Sequence, residues 1–399
     1  MRILQVSNYF KPSWEGGGPT RGTYELSKAL VKRGHEVTVY ATDGFKNRVH
    51  APTNQPIEID GMRVFYFSNL SNFLASHTNI QTPFLASPII RADMRKYDVA
   101  HIHEGNALLG TVVHHYARRN SVPIVLQPHG GLTAPSVLNA MAKNAGIVRT
   151  LRLGVALDAD ACIAVTTNER RAMVDLGIDD CRISVVPNGI NWANYEVLPK
   201  RGAFREEYGI EESDRVVLYL GRIHRIKGLD LLVKSFSAIS RQRDGVKLVI
   251  VGPDDGYLRD LKEKVADHRI EDKTILTGPL FEADARQAFV DSDVYVLPSM
   301  FDVFGLTVLE ASACGLPVIV TEECGIRDFV TEVGYVVRRD EAALASKLLE
   351  LLNNDTLRSE MGRVARFQVE KLYSWETIVT KVEQVYKEVI QKSFDRGTE

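Results

Sequence analysis

The sequence reads as an α/β protein made of two doubly wound, Rossmann-like domains. Three observations predict this class. At 399 residues the chain is long for a single core, which favours two. Short β-branched runs alternate with helical periods from end to end. A strand–loop–helix unit opens each half, RILQVSNYF into GGGPTRG and TYELSKALVKRG in the first, RVVLYL into GRIHRIKG and LDLLVKSF in the second. Two such domains are expected to face one another across a cleft.

In the first unit the strand leads into a Gly-rich loop, Gly16-Gly17-Gly18, at its carboxyl end. Adjacent glycines let the backbone approach a ligand and let N–H groups point at phosphate. The helix is expected over residues 23–34, ended by Gly34, and HEVTVYAT is the second strand. The loop is not GxGxxG, and the nearest acid after the second strand, Asp43, is poorly placed for a ribose. A nicotinamide site is therefore disfavoured. Residues 44–95 are less regular, with GMRVFYFS as a strand and a polar connection over 68–81. YDVAHIHEG is a strand that puts His101 and His103 on one face. No third ligand accompanies them, nor His114 and His115 on the next helix, so all four are taken as core or rim histidines. PIVLQPHGG sets His129 and Gly130 at the carboxyl end of the sheet, where a ligand contact and a structural role are both open. The apolar stretch 132–154 carries Lys143, Arg149 and Arg152. It suits a buried helix with basic ends or a helix resting on a membrane surface.

DADACIAVT and RISVVPNGIN complete the first half, so the domains are expected at 1–192 and 193–373, with 374–399 as a terminal amphipathic helix. In the second half Arg222 and Lys227 stand five apart at a strand–helix turn. That spacing suits a diphosphate, because Arg can fork onto two oxygens and Lys adds a mobile charge. The same residues in a solvated basic turn would look alike. The stretch PSMFDVFGLTVLEASACGLPVIVT then ends a strand, turns at Gly305, and runs as a helix from about Leu306 to Ala313 before Gly315 and Pro317 stop it. A helix N-terminus at the carboxyl end of a parallel strand favours an anionic or polyhydroxyl ligand. Asp302 before the helix and Glu310 within it could both face that ligand.

Composition narrows the function. Charged residues make up 25% of the chain and the formal net charge is −2, which lacks the basic excess of a nucleic-acid binder. The four cysteines have no zinc-like or disulfide spacing, which suits a reducing compartment. MRILQVSNYF is too short an apolar run for a signal peptide, and no run of about 18 apolar residues could cross a bilayer. A cytoplasmic protein is expected.

The Asp302–Glu310 stretch resembles the acidic signature of the retaining glycosyltransferases of family 4, with aspartate where the family's first glutamate usually stands. GGGPTRG, HEVTVYAT, YDVAHIHEG, PHG, VVPNGI, LGRIHRIKG and VGPDDG occur in that family's order. The resemblance implies the GT-B fold, with the last helix crossing back to the first domain, and a nucleotide sugar as donor. By position, Gly17 and Gly18 would offer N–H groups to the diphosphate, which Arg222 and Lys227 would neutralise without metal or other cofactor. His129 and Asp302 would contact the sugar, the amides of Phe304, Gly305 and Leu306 would support sugar and phosphate, and Glu310 would hold the ribose. No residue is an evident covalent nucleophile, so the resemblance implies front-face attack assisted by the leaving phosphate. The basic apolar segment 138–153 suggests a lipid-linked or growing polysaccharide acceptor, met at the inner face of the membrane.

Asp158–Asp160 and Asp291–Asp293 also spell the metal-diphosphate motif of another glycosyltransferase fold. Both precede strands at the amino end, the wrong end for a ligand. Three rivals remain distinct: a nucleotide-sugar epimerase of the same fold, a nicotinamide oxidoreductase, and a non-catalytic nucleotide-sugar sensor. Solvent hydrogen exchange without an acceptor, cofactor fluorescence, and absence of turnover would respectively reveal them.

Overall fold

A computed structural model describes residues 1–14, 17–44, 48–71, 82–83, 86–104, 108–132 and 147–397. The chain divides into two compact units, Met1–Gly189 with Trp375–Glu399, and Ile190–Ser374. The second unit thus begins three residues before the expected boundary. The reason is local: the Ile190 N–H donates to the Tyr373 carbonyl at 2.8 Å, and Ile190 bridges Ser374, so the entering and leaving strands of chain pair side by side.

The first unit holds β1 (Arg2–Val6), β2 (Glu36–Thr42), β3 (Pro56–Ile59), β4 (Met62–Phe67), β5 (Val99–His103), β6 (Ile124–Gln127), β7 (Ala161–Ala164) and β8 (Ile183–Val185). Their order is β3-β4-β2-β1-β5-β6-β7-β8, parallel except where β3 folds back on β4. The sequence reading missed β3. Its signal was the Asp60-Gly61 pair, whose φ angles of 50 and 77 form the tight turn a two-residue hairpin requires. Both faces of this sheet are covered, which explains the near-continuous apolar strands. Leu4, Tyr40, Phe65, Ile102 and Leu126 pack to one side, and Ile3, Val39, Val64, Val99 and Val125 to the other. Helices α1 (Gly18–Lys32) and α2 (Thr167–Asp175) belong to this unit.

The second unit is a six-stranded parallel sheet of β9 (Arg215–Leu220), β10 (Val246–Val251), β11 (Thr274–Gly278), β12 (Val294–Leu297), β13 (Val318–Thr321) and β14 (Tyr335–Val337). The order is β11-β10-β9-β12-β13-β14. Helices α3 (Leu229–Ser240) and α4 (Leu306–Ala313) follow β9 and β12. Each sheet therefore has one point where successive connections leave in opposite directions, between β1 and β5 in the first and between β9 and β12 in the second. Ligands of open α/β sheets bind outside the carboxyl ends of strands at such points.

The terminal helix α5 (Trp375–Gly397) packs on the first unit. Ile378, Val379, Val382, Val385, Tyr386 and Val389 recur at helical spacing and are buried against its core. Glu383 pins it: Arg33 reaches both carboxylate oxygens at 3.0 and 2.8 Å, and His35 Nε2 lies 2.8 Å from Oε1. The hydrogen bonds from Arg33, joined by those from His35, hold the Glu383 carboxyl down at about 2. A depressed carboxylate contributes stability above its unfolded value and loses it as pH falls toward the folded one. Glu383→Ala is therefore expected to cost on the order of 1–3 kcal/mol at neutral pH, discounted for the exposure of Arg33, and clearly less near pH ~3. Denaturant unfolding at the two pH values checks this; an equal cost at both would rule out the ion pair as its source.

Candidate functional site

At the switch point of the second sheet, the loops after β9 and β12 are stitched together. The Met300 N–H donates to the Ile226 carbonyl at 2.8 Å. Gly228 sits at φ +68, and a Cβ there would stand 2.0 Å from the Pro298 carbonyl oxygen, so only glycine allows the approach. This stitch brings Lys227 Nζ to 2.6 Å from Asp302 Oδ2, with each side chain 15% exposed. Asp302 Oδ1 accepts from the Phe304 N–H at 3.3 Å, and the Asp302 carbonyl accepts from the Gly325 N–H at 2.8 Å. The carboxylate is thus fixed on both sides. Gly305, at φ +89, then caps α4, which opens at Leu306 as expected from sequence.

The structure brings Lys227 and Asp302 together and pairs Arg222 with another carboxylate. Arg222 Nη1 lies 2.6 Å from Asp255 Oδ2 in a largely exposed pair. The Phe304 amide, expected to serve a ligand, is engaged by Asp302. Glu310 lies half-buried in α4. Burial, with Glu310 adding to it, pushes the neighbouring Cys314 thiol up to about 12.

In the first unit α1 starts at Gly18, five residues earlier than expected. Pro19 sits in its first turn, where its fixed φ suits a helix and its missing N–H costs nothing. The Gly17 N–H already donates to the Trp14 carbonyl at 3.0 Å. It is therefore engaged within the loop, and Gly18, the first helical residue, is the better-placed of the two.

His129 (φ 49) and Gly130 (φ 80) are consecutive left-handed residues after β6. Glu169 holds this bend: its Oε1 accepts the Gly130 N–H at 2.6 Å and its Oε2 the Val165 N–H at 2.7 Å. Glu169 stands at the third position of α2, whose N-cap Thr166 accepts the Glu169 N–H at 3.1 Å. Burial pushes the Glu169 carboxyl up to about 7, against the two N–H bonds that favour the ionised form.

From His129 a hydrogen-bonded chain enters the core. His129 Nε2 is 3.0 Å from His103 Nδ1, His103 Nε2 is 2.6 Å from Gln5 Oε1, the Gln5 amide donates to Tyr386 Oη at 3.0 Å, and Tyr386 Oη is 2.7 Å from His101 Nδ1. Burial pushes His129 down to about 4, His101 down to about 3 and His103 well below the usual imidazole range. All three are neutral at pH ~7. With Gln5 Oε1 accepting, His103 carries its proton on Nε2 and accepts from His129 Nε2–H. His101 and His103 are core residues, as read from sequence, and among the described residues no group of three acids, histidines or cysteines could hold a metal.

Both aspartate pairs are brackets at strand entries. Arg118 spans Asp158 and Asp160 at 2.7 and 2.8 Å, while Asp291 accepts the Gly202 and Phe204 N–H groups and Asp293 pairs with Arg205 at 3.0 Å. Residues 133–146, which hold most of the basic apolar stretch, lie outside the described residues. Among those described, no helix is long and apolar enough to cross a membrane. Sequence reasoning assigned no role to Glu169, although Thr166-x-x-Glu169 has the form of a capping box, nor to Gln5, Tyr386 and Glu104, which carry no local signal.

The pattern of glycosyltransferase family 4 matches residues 16–193, and that of glycosyl transferases group 1 matches residues 200–368. The D-inositol 3-phosphate glycosyltransferase of Kineococcus radiotolerans is 28% identical over 96% of this chain and 94% of its own length. The N-acetyl-alpha-D-glucosaminyl L-malate synthase of Bacillus anthracis is 26% identical over 94% and 95%. Among solved structures, Anabaena Alr3699/HepE in complex with UDP superposes with a TM-score of 0.77 at 17% identity, covering 97% of this chain and all of that one. Sucrose-phosphate synthase from Thermosynechococcus elongatus gives 0.76 at 20% identity, covering 98% and 100%. Matched along both units and sharing their two parallel sheets, this chain belongs to glycosyltransferase family 4, with the GT-B fold.

Proposed function

We propose that this glycosyltransferase moves a hexose from a nucleoside-diphosphate sugar to a hydroxyl group, with retention of configuration and without a metal ion. The observation that carries the reading is the Lys227–Asp302 pair at the switch point of the second sheet, 2.6 Å apart. As the bond between the anomeric carbon and the phosphate oxygen breaks, negative charge gathers on the diphosphate and positive charge on the ring. A bound diphosphate offers Lys227 a second anionic partner. Lys227 stabilises the leaving group, and Asp302 becomes free to accept hydrogen bonds from the sugar. Arg222 adds charge once it leaves Asp255, the start of α4 supports the phosphate through Gly305 and Leu306, and Glu310 holds the ribose. In the first unit Gly18 is assigned to the diphosphate and His129 to the sugar, from their positions in the sequence. The cations do the work a metal would otherwise do. With no covalent nucleophile assigned, the acceptor attacks from the face the diphosphate leaves, and the departing phosphate takes its proton.

Solved proteins of this fold are described with UDP and UDP-glucose bound, which makes UDP the first nucleotide to test. The acceptor in this reading is a polysaccharide or lipid-linked glycan, met in the cytoplasm at the membrane face. No observation favours the epimerase. A thermal-shift panel of UDP, GDP and ADP in EDTA tests the donor. UDP at about 100 times its dissociation constant should add ~2.7 kcal/mol, roughly 5–10 °C in melting temperature. A shift abolished by EDTA would remove metal independence, and no shift with any of the three would remove the donor assignment.

A further inference from the structure

The switch point of the first sheet holds a second polar site, outside the carboxyl ends of β1 and β5. Two residues past β1 stands Asn8, 2% exposed, and immediately past β5 stands Glu104. Glu104 is held at φ +61, a conformation that costs a side-chain-bearing residue energy and collects at functional positions. Its N–H donates to the Gln127 carbonyl at 3.0 Å, which fixes the strained bend to the neighbouring strand β6. Asn8, through its backbone N–H and its side chain, favours the ionised Glu104 carboxyl. The Asn8 carbonyl is fixed as well, accepting from Thr42 N and Thr42 Oγ1 at 3.1 and 2.6 Å. Yet two polar atoms of this built pair, Glu104 Oε2 and Asn8 Oδ1, are buried with no partner. Folded proteins rarely leave such atoms bare, and each costs the desolvation of its group until something donates to it. With the carboxyl ionised both are acceptors, so what completes them is a donor.

We propose that Glu104 Oε2, with Asn8 Oδ1 beside it, is a hydroxyl-binding subsite that receives the acceptor substrate, so that the acceptor is a polyol or sugar presenting neighbouring hydroxyls. This inference rests on the transferase reading above and names the chemistry of its second substrate. Two adjacent lone-pair acceptors match two hydroxyl donors and repel a phosphate or carboxylate. Glu104 binds the acceptor here and is not the base that deprotonates it. Burial pushes its carboxyl up to about 7, and Asn8 opposes that; among the described residues no charged side chain adds to the balance. Raised above its unfolded value, the group is ionised only above roughly neutral pH, and hydroxyl donors favour the ionised form. Binding a polyol must therefore lower the pH at which Glu104 ionises.

The test is an infrared titration of the full chain with UDP present, following the carboxylic C=O band that Glu104→Gln removes. With myo-inositol, glucose or glycerol added, the midpoint should fall by at least about half a pH unit for one of them. A midpoint that none of the three moves overturns the subsite. Should Glu104→Gln fail to fold, Glu104→Asp displaces the same band and makes the assignment. Isothermal titration with UDP separates the two readings. Glu104→Gln should bind UDP within twofold of the native chain, while a tenfold loss would place Glu104 with the donor and overturn the assignment to the acceptor. A native chain that binds no nucleotide yet shows the polyol shift would sink the transferase reading and leave the hydroxyl subsite standing.

Discussion

Lys227→Ala is expected to lower turnover by about two to four orders of magnitude while the fold persists, the loss typical of removing a preorganised group from a departing anion. The ammonium is held at 2.6 Å from Asp302 before any ligand arrives, and it exchanges this carboxylate for the diphosphate on which charge develops. Two effects are superimposed in this variant. Removing the lysine leaves the Asp302 carboxylate, among the described residues, with the Phe304 N–H alone, and a partly buried carboxylate deprived of its cation costs on the order of 1–3 kcal/mol of stability. Lys227→Ala with Asp302→Ala separates them. The double variant should regain most of the lost melting temperature and none of the lost kcat, because the stability cost lies in the unpaired carboxylate and the catalytic cost in the missing cation. Turnover of the single variant within tenfold of native at saturating donor would take the lysine out of the mechanism.

The legibility of this chain follows the range of its signals. The bounds of α4 were readable because Gly305, Gly315 and Pro317 act on their own backbone, within a turn of where they stand. The βα alternation was readable for the same reason. The start of α1 was misplaced because apolar periodicity begins only at Thr23, whereas Pro19 had already set the first turn. The site itself depends on pairs that no local signal reports. Lys227 meets Asp302 across 75 residues, Gly130 meets Glu169 across 39, and Gln5 meets Tyr386 across 381. Such contacts arise from the order of strands in a sheet, which periodicity does not encode. Sequence therefore assigned Lys227 and Asp302 to separate tasks, one on phosphate and one on sugar. The geometry makes them a single exchangeable pair, in which the shorter aspartate reaches the lysine directly.

Glu169→Ala should be the most destabilising single change at the first unit's strand ends, although its side chain touches no ligand. Both of its oxygens accept backbone N–H groups, from Gly130 and Val165, at 2.6 and 2.7 Å. Alanine leaves both donors buried and unpaired, at about 1–3 kcal/mol each. The sum, on the order of 2–6 kcal/mol, corresponds to a fall of roughly 5–20 °C in melting temperature. Glu169→Gln should cost about half as much, because its amide oxygen replaces one acceptor while its NH2 group opposes the other N–H. The residue also fixes the left-handed bend on which His129 sits, so the pair of variants reads position as well as stability. If His129 contacts the sugar, donor turnover should fall further in Glu169→Ala than the lost folded fraction explains, and Glu169→Gln should lie between. Melting curves and turnover measured well below each variant's midpoint decide it. Activity that tracks the folded fraction alone would confine Glu169 to holding the loop, with no bearing on where His129 points.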